Sequence, residues 1–211
     1  LHGIRLSDTT LGSKVVVIGL GVIGQLVCRL AEAQGSEVTG IDPDPERSKN
    51  RENFFTSAND VELRDVDTVI ITAATNSNEP IELATKIARN KAKIVVVGDI
   101  PLNISRNDFY YKELELVVSK SYGPGRYDKQ YEALGNDYPI EYVRWTENRN
   151  FEAFTNLLSQ KQIHLLDLVS EEIAFEDAPS VYKKFDNEIK PLSVVLRYNI
   201  CLLYTSDAAD E

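Results

Sequence analysis

The 211 residues contain no methionine, two cysteines, two histidines and one tryptophan. Cys28 and Cys201 are too far apart in sequence for a zinc-ribbon spacing or a disulfide framework, so a reducing, cytoplasmic setting is the expectation. His2 and His164 are solitary; a histidine without a nearby cysteine or carboxylate cluster is more often structural than a metal ligand. Long apolar runs are also missing. The longest, Val15 to Gly24, is too short for a bilayer span and carries three glycines, and no signal peptide is readable, so no membrane partner is expected. Basic charge is scarce: 23 Lys and Arg stand against 33 Asp and Glu, a formal charge of -10. Such a chain repels a phosphate backbone, which argues against a nucleic-acid partner.

The ends carry their own signals. Without an initiator, and with Leu1 to Leu6 reading like a helix already under way, the reading frame is expected to begin upstream. Cys201 to Glu211 (CLLYTSDAADE) resembles the translation of a transposase-type sequencing adapter, so residues 199–211 are expected to be an artefact foreign to the fold.

What is present is a series of short β-branched runs separated by helical stripes. Lys14 to Ile18 (KVVVI) enters Gly19 as a strand buried on both faces. Ile23, Leu26, Val27 and Leu30 then repeat at helical spacing until Gly35. Glu37 to Ile41 is the next strand. Phe54 to Thr56, Asp67 to Ala74, Lys93 to Gly98 and Glu115 to Ser119 continue the series. Between the fourth and fifth strands the pattern predicts a helix capped by Asn78, with Ile81, Ala84 and Ala88 on one face and Lys86, Arg89 and Lys91 near its end. Further helices are predicted after Asn148, with Phe151, Phe154 and Leu158 as the stripe, and around Ala178 to Phe185; a strand closes the chain at Leu192 to Arg197. Alternating strands and helices predict an α/β fold, a Rossmann doubly wound parallel sheet.

Gly19-Leu20-Gly21-Val22-Ile23-Gly24 matches G-x-G-x-x-G between a strand and a helix, and Asp42 ends the next strand 18 residues past Gly24. Gly19 suits the tight turn, Gly21 lets backbone approach a pyrophosphate, and Gly24 lets helix pack on strand. The helix N-terminus offers free N–H groups to the phosphates. Asp42 can take the ribose hydroxyls and would repel a 2'-phosphate, so NAD(H) is expected over NADP(H); Arg47 softens that preference. A tight turn that binds nothing, FAD and S-adenosylmethionine remain as alternatives.

From Leu1 to Tyr198 the chain resembles the cofactor-binding half of the medium-chain, zinc-type alcohol dehydrogenase superfamily, through Leu11 to Gly19 and the glycine motif. Ile70 to Thr75, Ser119 to Tyr127 (SKSYGPGRY) and Tyr142 to Glu147 (YVRWTE) resemble the alcohol-dehydrogenase-like module of bi-domain oxidoreductases. The resemblance implies that Gly19, Gly21, Val22, Ile23 and Gly24 cradle the pyrophosphate and that Asp42 and Arg47 meet the ribose. Thr72, Ala73 and Ala74 would lie on the adenosine side, Val97, Gly98 and Asp99 beside the nicotinamide, and Ser121 and Tyr122 near its carboxamide. It also implies a fragment lacking the GroES-like catalytic domain. Residues 1–11 would end an upstream helix, 12–145 would form the NAD-binding domain, and 146–198 a helical completion and return strand.

The implied activity is hydride transfer between NAD and a small-molecule alcohol or carbonyl, on a sugar-related substrate; a non-catalytic nucleotide-binding or sensing module is the alternative. No catalytic residue is expected in this piece. Zinc would belong to the full-length protein and not to this fragment, and a homo-oligomer with a second, C-terminal oxidoreductase module is the expected setting. The stretch from Asp42 to Asp67, with 24 residues between them, is short for the superfamily. Arg126, after a Gly-Pro-Gly turn, suits either an anion or a solvated loop, and Arg144 beside Trp145 suits a stacked guanidinium.

Overall fold

The computed structural model describes residues 1–49, 51–185 and 191–198; the expected adapter tail lies outside them. Two compact units divide between His164 and Leu165.

In the first unit, strands β1 (Lys14–Ile18), β2 (Glu37–Ile41), β3 (Phe54–Phe55), β4 (Val66–Ile71), β5 (Ala88–Val96) and β6 (Glu115–Val118) form one sheet in the order β3-β2-β1-β4-β5-β6. Every pairing is parallel. This is the expected doubly wound order, with its direction reversing between β1 and β4. Side chains alternate across a strand, so the β-branched runs feed two cores. Val15, Val17, Ile70 and Val95 face one way, against Val27 and Leu30 of helix α2 (Val22–Ala33) and Ile4 of helix α1 (His2–Ser7). Phe154, Leu157 and Leu158 of helix α7 (Glu147–Ser159) pack on this same layer. Val16, Ile18, Val69, Ile71, Ile94 and Val96 face the other way, against Ile81, Ala84 and Ile87 of helix α4 (Glu79–Ile87). Helix α5 (Arg106–Lys112) adds Phe109 there, while α3 (Pro45–Ser48) and α6 (Lys129–Glu132) are single turns outside the layers.

Two boundaries differ from the sequence pattern. Helix α4 stops at Ile87, so Ala88, Arg89 and Lys91 belong to β5 instead. Ala88 pairs with Val66 across an irregular step in register, Lys91 takes a left-handed φ of 62°, and Lys112 Nζ caps the carbonyls of Thr85 and Ala88 at 2.7 and 2.8 Å. Strand pairing and a lysine from a distant helix thus outweigh the local helical stripe. Helix α7 is capped by Thr146 and not by Asn148: the buried Thr146 hydroxyl accepts from Arg149 N, a role threonine fills well at a helix start.

The second unit holds β7 (Glu171–Ala174), α8 (Ala178–Phe185) and β8 (Val194–Arg197), with β7 and β8 parallel. The expected closing strand is there, and the β7 strand that pairs with it was not predicted. Its Glu-Glu start masks the strand pattern.

Ile70 sits fully buried in β4, between β1 and β5. Ile70→Ala is expected to destabilise the chain by about 3 kcal/mol, because the cavity left between two strands cannot collapse. Val118→Ala on the edge strand, where the side chain is 59% exposed, is expected to change stability by less than about 1 kcal/mol. Urea denaturation midpoints check both.

Candidate cofactor-binding site

The proposed site residues converge on the carboxyl end of the sheet. Gly19 leaves β1 with φ 97°, a conformation open to glycine and strained for other residues. A side chain there would also strike the Ala73 backbone, with the Cβ at 2.6 Å from its nitrogen. The turn is held by Gly19 N donating to the Ile41 carbonyl at 2.8 Å and by the Thr72 hydroxyl donating to the Gly19 carbonyl at 2.6 Å. Gly24 lies in the first turn of α2 so close to that turn that a Cβ would fall 1.9 Å from the Gly19 oxygen. Gly21 is different. It is the N-cap of α2 in extended backbone, and the nearest atom to a Cβ built on it is Arg47 Nη1 at 3.9 Å. The space above Gly21 is therefore open, and the first N–H groups of α2, with Val22 and Ile23 in its opening turn, lack intrahelical acceptors.

Asp42, one residue past β2, is buried. Its carboxylate accepts from Leu20 N at 2.6 Å, from Asp44 N at 2.9 Å and from Arg47 Nη1 at 3.3 Å. Arg47 is 36% exposed and also reaches Asp44 at 3.3 Å, while its own carbonyl accepts from Gln25. The acid is thereby fixed to the glycine loop before any ligand arrives.

Thr72 N and Ala73 N both donate to the Ile18 carbonyl, and Val97 N and Gly98 N both donate to that of Ile71. These residues form a rigid floor whose amides are already spent; Ala74 and Asp99 beyond them are exposed. On the far side of Ile23, a cavity of about 570 Å³ is lined by His2, Val97, Ser119, Ser121, Tyr122 and Phe151, among others. Ser119 Oγ is buried there without a hydrogen-bond partner. Burial, then the adjacent terminal charge, pushes the His2 imidazole below its usual range.

The structure thus gathers two groups: Gly19 to Gly24 with Asp42 and Arg47, and Ile23 with Val97, Ser121 and Tyr122, joined by Thr72, Ala73 and Gly98. Two contributors were missed in sequence. The Thr72 hydroxyl locks the glycine turn. Asn150 on α7 accepts from Arg5 Nε at 3.3 Å and donates to the Tyr122 carbonyl at 3.2 Å, tying the loop after β6 to α1. Nothing in local spacing marks that asparagine. Arg126 is held by Glu132 at 2.5 Å, and Arg144 does stack on Trp145.

The comparisons agree with this geometry. The chain is 24% identical to 2-dehydro-3-deoxy-L-galactonate 5-dehydrogenase of Pseudoalteromonas atlantica, over 94% of this chain and 55% of that protein. The structure of a "putative zinc-binding dehydrogenase" from Sinorhizobium meliloti 1021 bound to NADP superposes with TM-score 0.65 at 20% identity, over 93% of this chain and 55% of that one. An Escherichia coli CFT073 "short chain alcohol dehydrogenase (rspB)" complexed with NADH gives 0.67 at 17%, over 90% and 53%. The chain is related to the zinc-type, medium-chain alcohol dehydrogenases. It spans about half the length of the curated relatives it matches.

A family profile described as "Putative heavy-metal chelation" matches residues 4–99. The residues present do not fit that role, nor a zinc site. Among the described residues no three His, Cys, Asp or Glu side chains converge. Cys28 is buried in α2, where burial and the nearby Glu32 push its thiol up to about 12. No helix among the described residues is long and apolar enough to cross a membrane.

A thiol with so high a pKa stays protonated and unreactive through the neutral range. Cys28 is expected to remain unmodified by iodoacetamide at pH 8 in the folded chain and to react once urea unfolds it, as peptide mass mapping would show.

Proposed function

We propose that this chain is the NAD-binding portion of an oxidoreductase that moves a hydride between NAD(H) and an alcohol or carbonyl of a sugar-like substrate. The observation that carries this reading is the open space over Gly21, bounded by the free N–H groups of α2 and by Asp42 fixed at the end of β2. The diphosphate would sit on the helix N-terminus, where amide donors and the helix dipole favour negative charge. Asp42 would accept from the adenosine ribose hydroxyls, using lone pairs that Leu20 N and Asp44 N leave available. Arg47 would swing off Asp42 to admit the ribose; as a half-exposed ion pair its release is inexpensive. Ile23 and Val97 would wall the nicotinamide end, and Ser121 and Tyr122 would meet its carboxamide. The nicotinamide supplies the hydride acceptor or donor when bound.

The sugar-related substrate is supported by the relatives, which are sugar dehydrogenases. The proton acceptor, and the zinc that stabilises an alkoxide in zinc-dependent relatives, would come from a GroES-like domain that these residues do not include.

NADH is expected to bind more tightly than NADPH by about tenfold, because the Asp42 carboxylate opposes a 2'-phosphate while Arg47 offsets part of that repulsion. Asp42→Asn, which keeps an acceptor for one of the two backbone donors, should narrow the gap. Fluorescence titration decides it: equal affinities in the parent chain would remove Asp42 from the ribose site.

Gly21→Val should weaken NADH binding by more than about tenfold, since the side chain would fill the open space the diphosphate needs. Its backbone conformation is ordinary, so circular dichroism should show the fold intact. Calorimetry showing unchanged binding would refute the cradle.

A further inference from the structure

Trp145 lies between two arginines. Arg5 from α1 places its guanidinium carbon 3.3 Å from the ring centroid, and Arg144 places its own at 3.8 Å. Two groups that close to one centroid cannot share a face, so they flank the indole on opposite sides with their centres about 7 Å apart. Among the described residues neither guanidinium has a carboxylate within ion-pair distance. The neighbouring Arg149, by contrast, is held by Asp137 at 2.5 Å. In a chain with net charge -10, two facing cations left without an acid are unusual, and the indole face alone compensates them only partly. Arg5 is tethered by Asn150, and burial together with the Arg144 charge pushes its pKa down, so the pair is held together against repulsion.

The spacing has a chemical meaning. A guanidinium is a planar fork that grips oxyanions through paired N–H donors at about 2.8 Å. Two forks on either side of an indole leave, at the ring's edge, room for one tetrahedral or carboxylate group to reach both. We propose that Arg5, Trp145 and Arg144 form an oxyanion site, taking a phosphate or carboxylate group between the two guanidiniums at the edge of the ring. The site does not depend on the cofactor reading above. Asn150 connects it to the wall of the cavity beside Tyr122, so the oxyanion is either a free ion or the charged end of a substrate lying in that cavity.

Trp145 is the sole tryptophan of the chain and therefore reports on the site directly. Inorganic phosphate, titrated against chloride at constant ionic strength, should change its fluorescence saturably. Arg144→Ala should weaken that response at least about tenfold with no change in Tm, since Arg144 is exposed. Arg144→Lys, which keeps the charge and loses the fork, should fall between. Gluconate competing for the same signal, with sorbitol inert, would assign the site to the charged end of a sugar acid; a response to phosphate alone would assign it to a phosphate group. No saturable change beyond that of chloride, or an Arg144→Ala variant that responds like the parent, would overturn the proposal.

Discussion

The first unit depends on one close backbone contact at the carboxyl end of its sheet. The turn at Gly19, the Ala73 backbone and Gly98 are pressed together so tightly that a Cβ on either glycine would fall within 2.6 Å of the Ala73 main chain. Two amides from β4's end share the Ile18 carbonyl, and two from β5's end share the Ile71 carbonyl. The three central strands therefore end at one level, and the crevice where the strand order reverses has a rigid floor. Such crevices are where open α/β sheets bind ligands, because helix N-termini and loops diverge there.

On that floor the charges are arranged before a ligand arrives. The Asp42 carboxylate is buried and hydrogen-bonded to the glycine loop, so it is positioned relative to the diphosphate cradle by the same bonds that satisfy it. Arg47 lies over the cradle and balances Asp42 and Asp44. A buried acid with its donors in place requires little reorganisation on binding, which preserves affinity otherwise lost to ordering.

Where local pattern and structure disagree, distant partners explain the difference. Residues Ala88 to Lys91 carry helical spacing and a basic end, yet they extend β5 because Val66 offers strand pairing and Lys112 satisfies the carbonyls that α4 leaves behind. The partner strands β7 and β8 are separated by the whole of α8, so the pairing that turns Glu171–Ala174 into a strand is invisible in its own four residues. Asn150 is another such case: its value lies in Arg5 and Tyr122, residues from two other elements.

The sequence by itself determined the sheet, its order and the glycine cradle with its acid. Each of those is written in short-range terms: β-branched runs demand burial on both faces, helical stripes demand one, and glycine spacing with an acid at fixed distance encodes a turn and a carboxylate at a strand end. Tertiary structure alone decided how Asp42 is held, that Thr72 locks the turn, and that two arginines from opposite ends of the first unit close on one tryptophan. Those are contacts between side chains far apart in sequence. Their distances are set by how helices and loops stack on the sheet, and local spacing carries no record of that.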